Sequence, residues 1–466
     1  MASREKINLL RTFLGSLPVG LAEGLARAVE VDRMNNGTGL PHDTILESLR
    51  PTLRDGDKNA RALTPLRLFC RPFEDLLTND QRSQKQKGRI LRSSITPVWN
   101  WLAQDLLPEE AQAYAVAVKT AALGCGTDEV LDRAAAFWQA AAQALGERLA
   151  TESGRRAAQR ALKEEAAVAD AQEMALMLGV GPDIYDLQQR LPQILPALTE
   201  DVVKAFRDTY DRLMQTVPDA APYLPLVVMS RLEKPWEALR LPLGAAGDTA
   251  EDSPAESDTG LAGEVLFATV EAHSAAVRAA TPHRFDADTL ISHIEQFAEL
   301  SNGVIKEVEL RRDGVWGLRL VKDRATVAEA MDGFMQRTPQ EIMAALPMRA
   351  EEDGSFRLPD ISSPSDPEKS DRALCYARLL AGCRRFAAAA SFGASLKRAD
   401  EEALGALKTY NEEIVRGLRD LAEEERINAE QYAALATELT TILISHEQGE
   451  PMGRHGRTDE APSMAA

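Results

Sequence analysis

The longest periodic stretch of the chain lies between residues 400 and 446 and has the repeat of an α-helix. Its spaced positions are Leu404, Leu407, Asn411, Ile414, Leu418 and Leu421, followed by Tyr432, Leu435, Leu439 and Ile442. Residues three or four positions apart share one helical face, so the stretch predicts two amphipathic helices. A polar break at 423–428 interrupts the register, whereas a coiled coil needs about three to four continuous heptads. We therefore predict an antiparallel helical hairpin, with self-association through 400–446 as a second expectation.

The rest of the chain carries similar helical signals. Prolines stand near the expected first turns of helices, and glycine or asparagine follows several expected ends. Aromatic residues make up only 5% of the chain, and alanine supplies much of its apolar content. That composition favours closely packed helices over strands. Compact domains hold about 100–150 residues, so a chain of 466 residues predicts several domains. Together with the helical signals, this predicts an all-α, multi-domain protein.

Polar segments divide the predicted helices. Residues 244–260 hold five acidic residues and no basic residue, which predicts a disordered acidic linker. A second polar linker is expected at 350–370 and a disordered tail at 447–466. The predicted helical parts are an N-terminal region at 1–80, a domain at 97–243, a domain at 261–349 and a C-terminal hairpin at 371–446, with a basic connecting segment at 81–96.

One segment, at 304–321, allows two local structures. A small β-hairpin is indicated by Asp313-Gly314, because apolar residues alternate on both sides of this turn signal. These residues are Val308, Leu310, Trp316, Leu318 and Leu320. The same segment also fits two helices, with Val304 and Val308 one turn apart. Because the surrounding sequence is helical, we favour the helices over the hairpin.

The charge distribution singles out residues 81–104. No acidic residue occurs between Asp80 and Asp105, although the chain as a whole carries a net charge of −18. The cations of this window are Arg82, Lys85, Lys87, Arg89 and Arg92, here called the basic tract. Together with backbone donors near Gly88 they can hold a phosphate, a nucleic acid or an acidic partner, so these five residues form the candidate anion-binding site. The plainer alternative is a solvated basic loop that joins two helices.

Two further features bear on the basic tract. Trp99 and Trp101 could supply stacking, but two residues turn a helix by about 200°, so at most one of them faces the tract. Both also fit a helical core. The linker at 244–260 carries a charge of −5 and the tract +5, which suggests the hypothesis that the linker folds over the tract and screens it.

Two Gly-x-Gly sequences, at 124–126 and 179–181, share only part of a phosphate-binding fingerprint. That fingerprint requires a preceding strand and a third glycine, and neither sequence has them. Each is explained by a helix that ends at a glycine, with Thr127 or Pro182 starting the next helix.

The sequence contains no recognisable catalytic or metal-binding motif. None of the six histidines lies three or four residues from another, so no helical pair of metal ligands is expected. His273, His283 and His293 recur at intervals of ten, which turns a helix by about 1000° and does not keep one face. Asp286, ahead of Leu290, is expected to cap a helix rather than to bind a metal. We assign no catalytic residue, no metal and no cofactor.

These patterns favour a non-enzymatic cytoplasmic interaction or regulatory protein that acts through helical surfaces and binds a protein partner. Four scattered cysteines, a start unlike a signal peptide and the lack of an apolar run of about 18–20 residues fit a bacterial-type reducing cytoplasm with no membrane span. The alternative is an anion- or nucleic-acid-binding module centred on 82–92, although the negative net charge argues against a general nucleic-acid coat. An enzyme of unrecognised type is the third and least favoured class.

Overall fold

The computed structural model describes residues 64–79, 85–121, 127–241, 260–307, 314–350, 357–417 and 423–445, together with scattered positions between 13 and 49. The described residues are helical almost throughout, with two short strand pairs, and this confirms the all-α class. The chain divides into two compact units, Met1–Val265 and Leu266–Ala466. None of the described helices is both long and apolar enough to cross a bilayer.

The scattered N-terminal positions form a small apolar cluster. Its buried members are Leu14, Ala22, Ala26, Val29, Ile45 and Leu49, and Leu17, Leu25 and Leu46 pack against them. The spacing of four and three residues between positions 22, 26 and 29 is that of one helical face, as expected for amphipathic helices.

The first unit is built from helices arranged around one central helix. Its helices are α1 (Pro65–Phe69), α2 (Arg92–Trp101), α3 (Pro108–Ala121), α4 (Thr127–Ala150), α5 (Glu152–Leu162), α6 (Glu165–Gly179), α7 (Gly181–Arg190), α8 (Glu200–Thr216) and α9 (Leu224–Met229). Short 3₁₀ segments span Arg71–Leu76, Pro218–Tyr223 and Pro235–Arg240, and a π-helical turn spans Leu102–Leu106. Strands β1 (Leu77–Thr78) and β2 (Ile90–Leu91) pair in parallel. Helix α6 contacts α2, α4, α5 and β2, so it is the central helix.

The second Gly-x-Gly sequence is a helix break, as predicted. Helix α6 ends at Gly179 and α7 begins at Gly181. A Cβ atom at position 181 would lie 2.8 Å from Cε3 of Trp138, so the glycine allows a close approach between helices. The first sequence, at 124–126, includes residues outside the described part, but α4 begins at Thr127 as predicted.

The second unit is a layered helical bundle. Helix α10 (Gly260–Ala279) begins in the first unit and ends in the second. The elements that follow it are α11 (Ala287–Glu307), α12 (Val315–Ala344), β3 (Met348–Ala350), β4 (Arg357–Pro359), α13 (Pro367–Cys383), α14 (Gly393–Gly417) and α15 (Glu423–Ser445). Helix α13 packs on α11, α12 and α15, and α14 packs on α12 and α15. The rings of Phe285, Phe334 and Tyr376 meet edge to face in the core. Asp286 caps α11 as predicted, because its Oδ2 accepts the N–H of Thr289 at 3.2 Å.

The strand pair of the second unit lies away from the predicted hairpin segment. Residues 304–307 and 315–321 are helical, and 308–313 lie outside the described residues. The antiparallel pair is instead β3 and β4, with Arg349 opposite Leu358. Within the polar segment predicted at 350–370, the described part contains β4 and the first turn of α13, and Ile361 is buried. The predicted linker residues 244–259 and the tail at 447–466 lie outside the described residues.

Candidate functional site

The basic tract lies between β1 and α2, and the parallel pairing of β1 with β2 holds the two ends of this loop together. Four of the five predicted cations are described, and Arg82 lies outside the described residues. The four are Lys85, Lys87, Arg89 and Arg92. They do not converge on one exposed cleft, because Lys85 points into the fold.

Lys85 contacts two carboxylates of α6. Its Nζ lies 2.8 Å from Asp170 Oδ1 and 2.7 Å from Glu173 Oε2. It also donates hydrogen bonds to the backbone oxygens of Gln86 and Arg89. Because Asp170 and Glu173 are three residues apart on a helix, their carboxylates share one face. The charge of Lys85 is therefore neutralised inside the first unit, and its side chain is only 19% exposed.

Glu173 also holds the backbone of the tract. Its Oε1 accepts the N–H of Gly88 at 2.9 Å and the hydroxyl of Tyr223 at 3.3 Å. The residue is only 8% exposed, and burial raises the pKa of its carboxyl above the ordinary value. Lys85 and the N–H of Gly88 act on that pKa in the opposite direction. Thus the backbone N–H of Gly88, which we expected near an external anion, instead donates to the carboxylate of Glu173.

Asp170 accepts hydrogen bonds in a similar way at the start of α2. Its Oδ2 accepts the N–H of Leu91 at 3.1 Å and the hydroxyl of Ser94 at 2.6 Å. Leu91 is the N-cap residue of α2 and has no polar side chain, so the buried carboxylate of Asp170 replaces a local cap. The acid pair on α6 thus fixes both the loop and the helix that follows it.

Gly88 is required by the shape of this loop. Its φ of +81° lies in the left-handed region that favours glycine. A Cβ atom there would lie 2.6 Å from Cδ1 of Leu226, with Leu261 and Val265 also in contact range. Next to it, Gln86 Nε2 donates to the backbone oxygen of Glu264 at 3.0 Å. The tract is therefore packed against α9 and the start of α10.

The remaining cations lie nearer to solvent. Lys87 is exposed, with its Nζ 5.7 Å from the ring centroid of Tyr223, and Arg92 is exposed at the first position of α2. Arg89 is half-buried. Anion binding by these residues stays a prediction, with Lys87 and Arg92 as its exposed members within the described part of the tract.

Trp101 belongs to the core, and Trp99 is half-buried at its margin. Trp101 is 6% exposed. Trp99 packs in an aromatic cluster, with ring centroids 5.2 Å from Phe69 and 5.8 Å from Phe137, and Tyr114 stacks on Phe137 at 4.5 Å. Because these rings are enclosed by one another, they do not form a stacking platform for bases beside the basic tract.

The buried thiols of Cys70 and Cys383 are not activated for nucleophilic chemistry. Burial raises the pKa of the Cys70 thiol to about 12 and that of Cys383 to about 12, so both are protonated at neutral pH. Across the described residues no three or more His, Cys, Asp or Glu side chains come together in a way that could hold a metal ion.

A groove of about 750 Å³ lies on the hairpin formed by α14 and α15. Its lining residues are Leu404, Lys408, Asn411, Glu412, Val415, Arg416, Thr440 and Ile444, here called the hairpin groove. Val415 is 59% exposed and Ile444 is 45% exposed. At its floor, Asn411 Nδ2 donates to Thr440 Oγ1 at 3.0 Å and joins the two helices. An apolar surface with charged residues beside it is therefore open on this hairpin.

Sequence reasoning identified the hairpin but not its groove. The predicted apolar stripe is the inner face, and Leu407 and Ile414 are indeed buried. The groove begins at the edge of that stripe, where Leu404 and Asn411 line it, and extends onto the neighbouring face. Its sequence signal is Val415 and Ile444, which are apolar but lie outside the stripe. The chain matches no protein-family model, no curated protein and no solved structure.

Proposed function

We propose that this chain is a non-enzymatic interaction protein that acts through exposed helical surfaces, with the hairpin groove as its docking site. The observation that carries this proposal is the exposure of Val415 and Ile444 in the groove. Contiguous exposed apolar side chains with charges around them are typical of protein-binding surfaces, and grooves between helices commonly receive another helix.

The charges of the groove favour a second copy of the chain as its occupant. Lys408, Glu412 and Arg416 follow one another at intervals of one turn, so cation, anion and cation alternate. Arg416 is paired with Glu413 of its own helix at 2.7 Å. Within the described residues, neither Lys408 nor Glu412 has an ion-pair partner.

A staggered antiparallel arrangement of two copies pairs Lys408 of each copy with Glu412 of the other. When Lys408 of one copy faces Glu412 of the other, two-fold symmetry repeats the pair, because an isologous interface uses the same surface twice. The register that places Glu412 against its own counterpart is disfavoured by repulsion between like charges. The charge pattern therefore favours one alignment of the two hairpins.

Sedimentation equilibrium of the full chain tests this proposal. We expect a reversible dimer whose affinity falls roughly 1,000-fold in the double variant Val415→Glu, Ile444→Glu, since the symmetric interface buries four such side chains and each contributes about 1 kcal/mol. Met214→Glu is the matched control, because Met214 is 42% exposed on α8 of the first unit. A monomer at every concentration, or an equal loss in the control, would contradict the proposal.

We further propose a cytoplasmic location, supported by the free thiols of Cys70, Cys375 and Cys383, since reducing compartments keep cysteines unpaired. A polyanion-binding role at 82–92 is the second candidate function. It is supported by the exposure of Lys87 and Arg92, and a salt titration tests it.

A further inference from the structure

Two histidines on neighbouring helices of the second unit face each other. His273 lies on α10 and His293 on α11, and their Nδ1 atoms are 3.0 Å apart. The two ring centroids are separated by 5.3 Å. The regular spacing of the three histidines in sequence does not keep one face of a single helix, but the chain turns back between α10 and α11 and brings two of the three together.

Buried residues one helical turn away restrict the positions of the two histidines. Val277, one turn after His273, is fully buried, and so is Phe297, one turn after His293. The histidines themselves are half-buried. Each ring therefore lies at the margin of the core, where packing restricts it while water still reaches the pair.

The contact brings two metal-ligand atoms to one point. A hydrogen bond between two Nδ1 atoms requires that one of them carries a proton and donates it, while the other lacks a proton and accepts. An unprotonated imidazole nitrogen is the commonest protein ligand for Zn²⁺, Cu²⁺ and Ni²⁺. The contact thus directs the lone pair of one Nδ1 atom toward the other Nδ1 atom.

We propose that His273 and His293 form a two-imidazole site for a divalent transition metal ion of tetragonal preference, Cu²⁺ above all. With metal–nitrogen bonds of about 2.05 Å, nitrogens 3.0 Å apart subtend about 95° at the metal. That angle suits adjacent positions of a tetragonal Cu²⁺ or Ni²⁺ site, whereas tetrahedral Zn²⁺ requires a wider one. Cu²⁺ also has the highest affinity in the divalent series.

Binding replaces the proton shared by the two rings. The donor ring, when neutral, gives its Nδ1 proton to solvent and takes up one on Nε2, so binding proceeds through a change of tautomer. Both Nδ1 lone pairs then bind the ion, and each ring carries a proton on Nε2. Since no third protein ligand joins the pair among the described residues, water completes the coordination through the exposed side. Such a site takes up and releases its ion readily.

Titration of the full chain with CuCl₂ in a non-chelating buffer, followed by calorimetry and electron paramagnetic resonance, tests the site. We expect one Cu²⁺ with two equatorial nitrogens. The variants His273→Gln and His293→Gln should each weaken it roughly 100-fold, because the second ligand acts at a high effective concentration. His283→Gln is the control, since His283 lies beside Arg337 and outside the pair.

Equal Cu²⁺ affinity in the wild type and both variants would overturn the proposal, and so would an equal loss in His283→Gln. Where a variant fails to fold, the wild-type chain still provides the test. Cu²⁺ should protect His273 and His293, but not His283, from modification by diethyl pyrocarbonate. The absence of selective protection contradicts the site. The outcome is independent of the hairpin groove, which lies on α14 and α15.

Discussion

The backbone N–H of Gly88 donates a hydrogen bond to Oε1 of Glu173 over 2.9 Å, joining residues that are 85 positions apart in sequence. Lys85 approaches the same carboxylate from its other oxygen. The segment that has the most concentrated positive charge in the chain is therefore organised by acids of the chain itself. Lys85 contacts these acids, whereas Lys87 and Arg92 are exposed.

Removal of Lys85 should destabilise the first unit strongly. Lys85→Met leaves the buried carboxylates of Asp170 and Glu173 without their cation, and the loss of one partner from a buried charge cluster costs about 3 kcal/mol or more. Lys87→Met is the matched control, because Lys87 is exposed, and it should change stability by less than about 0.5 kcal/mol. Urea unfolding followed by circular dichroism measures both, and equal effects would refute the internal role of Lys85.

Gly88→Ala should also destabilise the first unit, by about 2 kcal/mol. The alanine is strained at a φ of +81°, and its Cβ lies too close to Leu226. At Gly146, which is exposed in α4 and has no atom within 4 Å of its Cβ position, the same substitution should stabilise by about 0.5–1 kcal/mol. Midpoints of urea unfolding that move in the same direction for both variants would contradict this assignment.

Asp323→Asn should stabilise the second unit at neutral pH. Asp323 is 9% exposed, and its pKa is raised above 3.8, first by burial and then by Glu271. A carboxyl with a raised pKa stabilises the folded state when protonated, and this contribution is lost as the pH rises from 3.8 through the raised pKa. The amide of the variant does not ionise, so its free energy of unfolding should exceed that of the wild type by about 1 kcal/mol at neutral pH.

The pH dependence provides the check on that prediction. The advantage of Asp323→Asn in the free energy of unfolding should shrink as the pH falls toward 3.8, where the wild-type carboxyl is protonated. Asp211→Asn, at an exposed position of α8, should give no comparable trend. A constant difference across the pH range would show that burial of the charge is not the cause.

The salt dependence of oligonucleotide binding should be shallow. Each phosphate contact contributes about −0.9 to the slope of log K against log salt, so five tract cations would give about −4.5. Because Lys85 is neutralised internally, we expect a shallower slope that Lys87→Ala with Arg92→Ala reduces further. Fluorescence titration at several salt concentrations measures it, and a slope near −4.5 would contradict the internal pairing of Lys85.

The parts of the fold that depend on local pattern were predictable. Helix α14 follows from the spacing of Leu404, Leu407 and Ile414, and the break between α6 and α7 follows from Gly179 and Pro182. These signals are local because one helical turn joins residues only three or four positions apart. The burial of Leu407 and Ile414 agrees with that pattern.

Long-range partnerships were not predictable in the same way. Nothing near Lys85 indicates that Asp170 and Glu173 will meet it, although two acids on the otherwise apolar face of α6 were a signal that each needs a buried partner. The pairing of His273 with His293 depends on the turn between α10 and α11, which the periodicity of a single helix does not reveal. Polar contacts of this kind depend on how helices pack and not on their own periodicity.

Reciprocal charge reversal in the hairpin groove is the sharpest test of the proposed dimer. Lys408→Glu alone and Glu412→Lys alone each place like charges opposite one another in the proposed dimer, and each should be monomeric. Mixed in equal amounts, the two variants face opposite charges at both positions, so light scattering should report a dimeric mass. Single variants that dimerise as the wild type does, or a mixture that stays monomeric, would contradict a groove filled by a second copy of the chain.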